Sequence, residues 1–305
     1  MIKNRREYLF FYDVVDANPN GDPMNENRPR IDEETGICYI TDTRLKRFIR
    51  DALLEMGEEV FIREERKEDG TLKTKEDLLK LYDEGNYEEI LKRCIDIRLF
   101  GGTFAVENKA KAFTGPVQFK FGRSLHRVSV KLVKGTTVLP SGEQRGQGTM
   151  TDTYIIPYGF FCFYGIANEK ASRETELTEE DLLKMTEAMW YGVKSSTDVI
   201  SRSKFGHTPR LLIEIIYREG EKFHIGELNR RVAIKKPDTL DELAIRDVSE
   251  FELELSGLKE AVQKHRDKIK KVHYAIDDRL RLSEGSSLEE VFAGVELKKF
   301  PWVEA

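Results

Sequence analysis

The stretch Glu7 to Asp16, EYLFFYDVVD, places aromatic and β-branched residues on both alternations of an extended chain. That is the pattern of a central strand buried on two faces. A long ordered loop follows from Ala17 to Gly36, where Pro19, Pro23, Pro29 and Gly21 forbid a continuous helix. From Thr41 to Met56, the residues Leu45, Phe48, Ile49, Ala52, Leu53 and Met56 recur at the spacing of one helical face. Beyond it, about Gly57 to Leu99 reads as a charged insertion expected to lie outside the core, with a capped helix start at Thr74-Lys75-Glu76-Asp77.

Strand patterning resumes at Pro116. Val117 to Gly122 is one strand, and Leu125 to Val133 is another, in which His126, Val128, Val130 and Leu132 alternate with Arg127, Ser129 and Lys131 to give an apolar and a basic face. Thr153 to Ala167 is apolar on both alternations, Leu177 to Val193 carries Leu182, Met185, Met189 and Val193 along one helical stripe, and Leu211 to Tyr217, LLIEIIY, is a last strand. The order strand, helix, strand, strand, helix, strand defines an α+β protein on the ferredoxin-like βαββαβ plan, which RNA-recognition modules share. The expectation is one elaborated domain over residues 1–305, with insertions at about 57–99 and 134–153. A C-terminal extension, 218–305, holds a long helix from about Ser256 to Leu282.

Composition narrows the function classes. The 305 residues carry 50 Lys plus Arg against 55 Asp plus Glu, a net charge of −5, and the chain is long enough to build a core without disulfides. Cys38, Cys94 and Cys162 are odd in number and far apart, so neither a disulfide framework nor a four-ligand zinc site is supported; a reducing, cytoplasmic setting is expected. The longest apolar stretch, Ile155 to Ala167, holds Pro157 and Gly159 and falls short of the roughly 18 residues of a membrane span. No secretion signal is expected at the N-terminus. An acidic total leaves nucleic-acid binding open, because affinity depends on local patches.

The first helix carries Arg44, Lys46, Arg47 and Arg50 away from its apolar stripe, whereas the second begins Thr178-Glu179-Glu180-Asp181, a capping box with an acidic first turn. Bases near a helix start cost stability. An anionic partner along that face would account for them, and so would salt bridges to the acidic insertion. Lys134 to Thr153 is glycine-rich, with Arg145 and the lone large apolar side chain Met150, which could sit beside an unstacked base or pack back on the body. The loop Asp16 to Asp22 begins like a calcium loop, but Asn27 stands where a bidentate Glu is required. His126, His207, His224, His265 and His273 show no metal-ligand spacing, and no hydrolase, phosphate-loop or dinucleotide motif is present. Tyr158 to Tyr164 is similar to the aromatic third strand of RNA-recognition modules, and core packing explains it equally. Two further basic groups are Arg202, Lys204, His207 and Arg210, and the run Lys264 to Lys271.

Taken in order, Asn18-Pro19-Asn20-Gly21-Asp22-Pro23, Asn25 to Asp32, Thr41 to Arg47, Asp96 to Gly101, Gly115 to Gln118 and the Gly206 loop resemble the CRISPR-associated backbone subunit of type I Cascade effectors. This is the Cas7 family, and the resemblance is closest to its Csh and Csd branches. It implies an RNA-recognition-like palm, helical fingers and a thumb at Lys134 to Thr153. Copies would stack head to tail along a guide RNA (crRNA), each thumb displacing a guide base. Arg44, Lys46, Arg47 and Arg50 would hold guide phosphates with Arg28 and Arg30 nearby, and Met150 would be the wedge. Arg127, Arg145 and Lys204 complete the candidate RNA-binding set. The implied partners are crRNA, the target DNA strand paired with it, other copies of the chain and other Cascade subunits, with no membrane, metal or cofactor and no catalytic residue. A subunit that accepts any guide should grip phosphate and sugar and leave sequence choice to base pairing. Relatives in type III complexes cut target RNA through an acidic residue in the loop after the first strand, which makes Asp22 and Asp32 the candidates for a metal-dependent ribonuclease. A structural partner with no nucleic-acid contact is the third class.

Overall fold

The computed structural model describes residues 1–82, 86–106, 109–136, 150–195 and 205–303. Its principal strands are β1 (Arg6–Ala17), β2 (Ile37–Ile40), β3 (Val117–Phe119), β4 (Gly122–Arg127), β5 (Lys131–Thr136), β6 (Met150–Ala167), β7 (His207–Tyr217), β8 (Ile269–Ile276) and β9 (Glu296–Lys299). Its principal helices are α1 (Asp42–Glu55), α2 (Ile95–Phe100), α3 (Glu179–Ser195) and α4 (Ser256–Lys264). The large sheet runs β9-β8-β7-β1-β6-β4-β2 and ends on Ile31–Asp32, with β3 and β5 also paired to β6. β1 lies between two antiparallel partners, β6 with Phe10 opposite Phe163 and β7 with Phe10 opposite Leu212.

The double alternation of β1 feeds two separate cores. Tyr8, Phe10, Tyr12 and Val14 point into one, together with Leu45, Phe48 and Ile49 of α1 and Leu182, Met185 and Met189 of α3. Leu9 and Phe11 point into the other, with Leu228, Val248, Phe251, Leu258 and Val262 of the C-terminal extension. α1 and α3 approach closely at Gly192, where a Cβ would stand 2.7 Å from the Phe48 carbonyl oxygen. Tyr158, Phe160, Cys162 and Tyr164 of β6 all enter the second core. The aromatic row that resembled a base-stacking strand is therefore covered by the chain's own extension.

Glu7 fastens that cover to the sheet. Its fully buried carboxylate accepts hydrogen bonds from the Tyr164 hydroxyl at 2.6 Å, from the backbone N–H groups of Ile225 at 2.9 Å and Gly226 at 2.8 Å, and from the Tyr217 hydroxyl. A buried carboxyl left without such a set of partners would be strongly destabilising.

Three expectations are corrected. The helix expected from Ser256 to Leu282 stops at Lys264; a short 3-10 turn covers Arg266–Lys268, and Ile269–Ile276 becomes β8. Its apolar residues satisfy a helical spacing, but as a strand Ile269, Val272 and Ile276 gain the hydrogen bonds of the β7 edge, with Val272 opposite Ile215. The strand expected over Leu125 to Val133 is two, β4 and β5, separated at 128–130: β4 pairs with β2 and β6, and β5 pairs with β6 further along. The insertion is not wholly outside the core. Phe61, Tyr82, Ile90 and Phe104 build a small core of their own, while Val60, Ile95 and Leu99 reach the main one.

Candidate nucleic-acid interface

The bases of α1 are used inside the molecule. Thr41 caps the helix, and its backbone N–H and hydroxyl both donate to Asn20 Oδ1, at 2.9 and 3.0 Å, so the Asn-Pro-Asn-Gly loop is tied to the helix start. Asp42 occupies the first turn and pairs with Lys46 at 3.1 Å. Arg47 pairs with Asp51 at 2.9 Å and Glu64 at 3.6 Å. Arg50 pairs at 2.9 Å with Asp96 of α2, a fully buried carboxylate that also accepts from the Phe61 and Ile62 N–H groups at 2.7 and 3.2 Å. Lys46 and Arg50, expected on an open face, are only 9% exposed. The correction has a simple cause: α2 and Gln118 cover the side of α1 opposite its apolar stripe. The bases also diverge, Arg44 lying over the Phe48 ring at 4.1 Å while Lys46 and Arg50 lie over Phe100 at 5.4 and 5.1 Å.

A more open arrangement lies along β2 and β4. Arg28, Arg30, Tyr39, Leu132 and Tyr154 line a cleft of about 420 Å³. Next to it Lys120, Phe121, Arg123 and Arg230 line another of about 670 Å³. The two adjoin through Tyr39 and Phe121, whose rings stack at 6.1 Å and 6°. Arg123 lies over Tyr39 at 5.9 Å, Arg28 over Tyr154 at 4.6 Å, and Phe121 is 46% exposed. Arg28 donates to both Glu26 and the Tyr154 hydroxyl at 2.9 Å, and Tyr154 and Arg28 hold the Glu26 carboxyl below its usual range. Exposed cations interleaved with aromatic faces can take a phosphate chain and stack its bases without reading their edges.

Of the residues expected from sequence, Arg28 and Arg30 enter this cleft. Arg127 instead faces the C-terminal extension, 3.6 Å from Asp241 and 3.4 Å from Glu242. Arg145 and Lys204 lie outside the described residues, as does 137–149 of the expected thumb. The stem of that hairpin is an antiparallel ladder, with Gly135 opposite Thr151 and Thr136 opposite Met150. Tyr39, Phe121, Arg123 and Tyr154 were not singled out by periodicity, which assigns alternating aromatics to a core. The signal for Phe121 and Arg123 was the string Phe119-Lys120-Phe121-Gly122-Arg123, where base and aromatic alternate; no such string marks Tyr39 or Tyr154.

The two acids considered for cleavage anchor turns. Asp22 accepts from the Met24 N–H at 3.2 Å and pairs with Arg30 at 3.3 Å; Asp32 accepts from the Glu34 and Thr35 N–H groups at 3.2 and 3.4 Å. Among the described residues no group of three His, Cys, Asp or Glu could hold a metal ion, and no helix is long and apolar enough to cross a membrane.

The sequence pattern described as "CRISPR-associated protein Cas7" matches residues 4–256. A CRISPR-associated protein Cas7 of Haloferax volcanii is 33% identical over 313 aligned positions, which cover 92% of this chain and 89% of that protein. The chain belongs to the Cas7 family of CRISPR-associated proteins. Two solved chains share its fold. One, from a "CRISPR RNA-guided surveillance complex, pre-nicking", has a TM-score of 0.59 at 13% identity and covers 96% of this chain and 95% of its own. The other, from a "CRISPR RNA-guided surveillance complex", has a TM-score of 0.56 at 15% identity and covers 96% and 94%.

Proposed function

We propose that the chain is a non-catalytic backbone subunit of a type I CRISPR surveillance complex. It binds crRNA along its phosphates, without regard to sequence, and repeats head to tail to present the guide to target DNA. The observation that carries this reading is the cleft along β2 and β4, where Arg28, Arg30 and Arg123 stand beside Tyr39, Phe121 and Tyr154. Cations there set affinity and flat rings accept any base, which is what a guide-independent grip requires. Family membership and the solved chains named above support the same setting. In this reading the run β7-β1-β6-β4 with α1 and α3 on one face is a ferredoxin-like palm, residues 57–99 are fingers, 134–153 are the thumb with Met150 at its base, and the Csh/Csd branch and a cytoplasmic site of action follow the resemblance.

The test is Arg28→Glu with Arg123→Glu, measured against two RNAs of unrelated sequence. Binding of both should weaken alike, and the slope of log affinity against log salt should fall by about 1.4, or about 0.7 per lost single-strand contact. A well-folded double variant that binds both RNAs as the parent does would end this reading.

A further inference from the structure

A charged acid stands among the cations of the cleft along β2 and β4. Glu26 Oε2 accepts from Arg28 and from the Tyr154 hydroxyl, both at 2.9 Å, and these bonds hold its carboxyl below the usual range, Tyr154 first and Arg28 second. Among the described residues Glu26 Oε1 has no hydrogen-bond partner, and the side chain is 68% exposed. The turn that presents it is fastened on both sides. The N–H groups of Asn27 and Arg28 donate to the Asp22 and Asn25 carbonyls at 2.8 and 2.9 Å, and the buried Asn18 donates from Nδ2 to the Asn27 carbonyl at 2.7 Å. Within this turn Glu26 and Asn27 both take left-handed backbone, at φ 50° and 57°. Asparagine tolerates that region and glycine enters it freely, whereas a glutamate does so at a cost.

Holding the loop to β6 does not account for this acid. Arg28 reaches Tyr154 directly, donating to its hydroxyl at 2.9 Å and lying over its ring at 4.6 Å. Nor does a metal account for it, since no group of three ligating side chains exists among the described residues. If the cleft gripped phosphate alone, an ionised carboxylate beside Arg28 would only weaken the grip. A ribonucleotide offers more than phosphate: its sugar carries a hydroxyl on the carbon next to one that bears a phosphate. A cation with a free acceptor oxygen at its side is complementary to that pair of groups. DNA brings the phosphate without the hydroxyl, so it meets the carboxylate's repulsion and gains no hydrogen bond in return.

We propose that Glu26 selects the sugar of the bound strand: its free oxygen accepts a ribose hydroxyl while Arg28 takes the adjoining phosphate, so the cleft prefers RNA to DNA. This rests on the reading of the cleft as an RNA site and adds what that site discriminates. The test uses the full-length chain, Glu26→Ala and Glu26→Gln, with single strands of one sequence made as RNA, as DNA and as RNA with fluorine in place of the ribose hydroxyl. Removing the acid relieves repulsion for every strand, and the ratio of affinities cancels that common gain. The parent should bind RNA most tightly and the fluorinated strand about as DNA. In Glu26→Ala the ratio of RNA to DNA affinity should fall about tenfold, the order of one hydrogen bond to a charged acceptor. Glu26→Gln keeps an acceptor oxygen without the charge and should keep part of the ratio. An unchanged ratio in a folded Glu26→Ala, or a fluorinated strand that binds the parent as well as RNA does, overturns the proposal and leaves Glu26 a counter-ion of Arg28. If the Arg28→Glu, Arg123→Glu variant binds RNA as the parent does, the RNA reading of the cleft falls and the proposal falls with it; an unchanged ratio beside a weakened double variant removes the proposal alone.

Discussion

The first helix and the end of α4 carry similar sets of bases and leave them in opposite states of pairing. On α1, Lys46, Arg47 and Arg50 are each matched to a carboxylate of the same molecule, and one of those carboxylates, Asp96, is fully buried. At Lys264 to Lys270 the cations have no such match among the described residues. A count of basic residues treats the two alike. What binds a polyanion is charge left uncompensated after folding; of the internal pairs, Arg50–Asp96 and Arg47–Glu64 tie the insertion to α1, while Lys46–Asp42 and Arg47–Asp51 stay within the helix.

The sharpest way to break this contrast is Arg50→Ala. Removing one partner of a buried pair leaves the Asp96 carboxylate without its counter-charge, so the protein should lose about 3–5 kcal/mol of unfolding free energy. Chemical denaturation gives the number. Full stability with lost RNA binding would move Arg50 to the binding side of the comparison.

Acid lability should mark the paired side as well. Burial pushes the Glu214 carboxyl up, but Arg6 and His273 outweigh it and hold it at about 2, below its ordinary value of 4.5. A carboxyl depressed on folding stabilises above its unfolded pKa, so this contribution is present above about pH 4.5 and is lost as pH falls from there toward 2. It amounts to about 3 kcal/mol. Glu214→Gln should flatten the acid limb of a stability–pH curve over that window. An unchanged limb would show that the buried pairs do not govern acid unfolding.

Local chemistry was legible in the sequence; the layer that covers it was not. The double alternation of Glu7 to Asp16 and of Thr153 to Ala167 announced strands buried on both sides, and the Thr178-to-Asp181 capping box forms as read, with the Asp181 N–H donating to Thr178 Oγ1 at 3.1 Å. Helical phase also identified the α1 residues lying off the apolar stripe. It could not say that Asp96, 46 positions away, closes over Arg50, because nothing local encodes a tertiary ion pair. The helix expected through Leu282 failed for the same reason: its spacing allowed two periods, and the open edge of β7 decided between them.

The cleft along β2 and β4 is the intermediate case, open in position but partly paired in charge. Phe121→Ala should cost about 1–3 kcal/mol of RNA binding, the range for losing one base-stacking platform. The loss should change little with salt, which separates it from the arginine variants. If the loss disappears at high salt, Phe121 supports the position of Arg123 and does not itself hold a base.

The finest discrimination comes from stability measurements on single cations. Lys264→Ala removes an exposed side chain with no ion pair among the described residues, so its unfolding free energy should stay within about 0.5 kcal/mol of the parent. Lys46→Ala removes a side chain that is 9% exposed and bonded to both Asp42 and Gln118, and should cost about 1.5–3 kcal/mol, the range for a hydrogen bond to a charged group. The pair of numbers tests the premise that folding sorts the bases of this chain into those that hold the structure and those left to hold something else. Equal costs at the two positions would abolish the distinction. A gap between them with Lys264 the costlier would reverse it and place a missing internal partner at the end of α4.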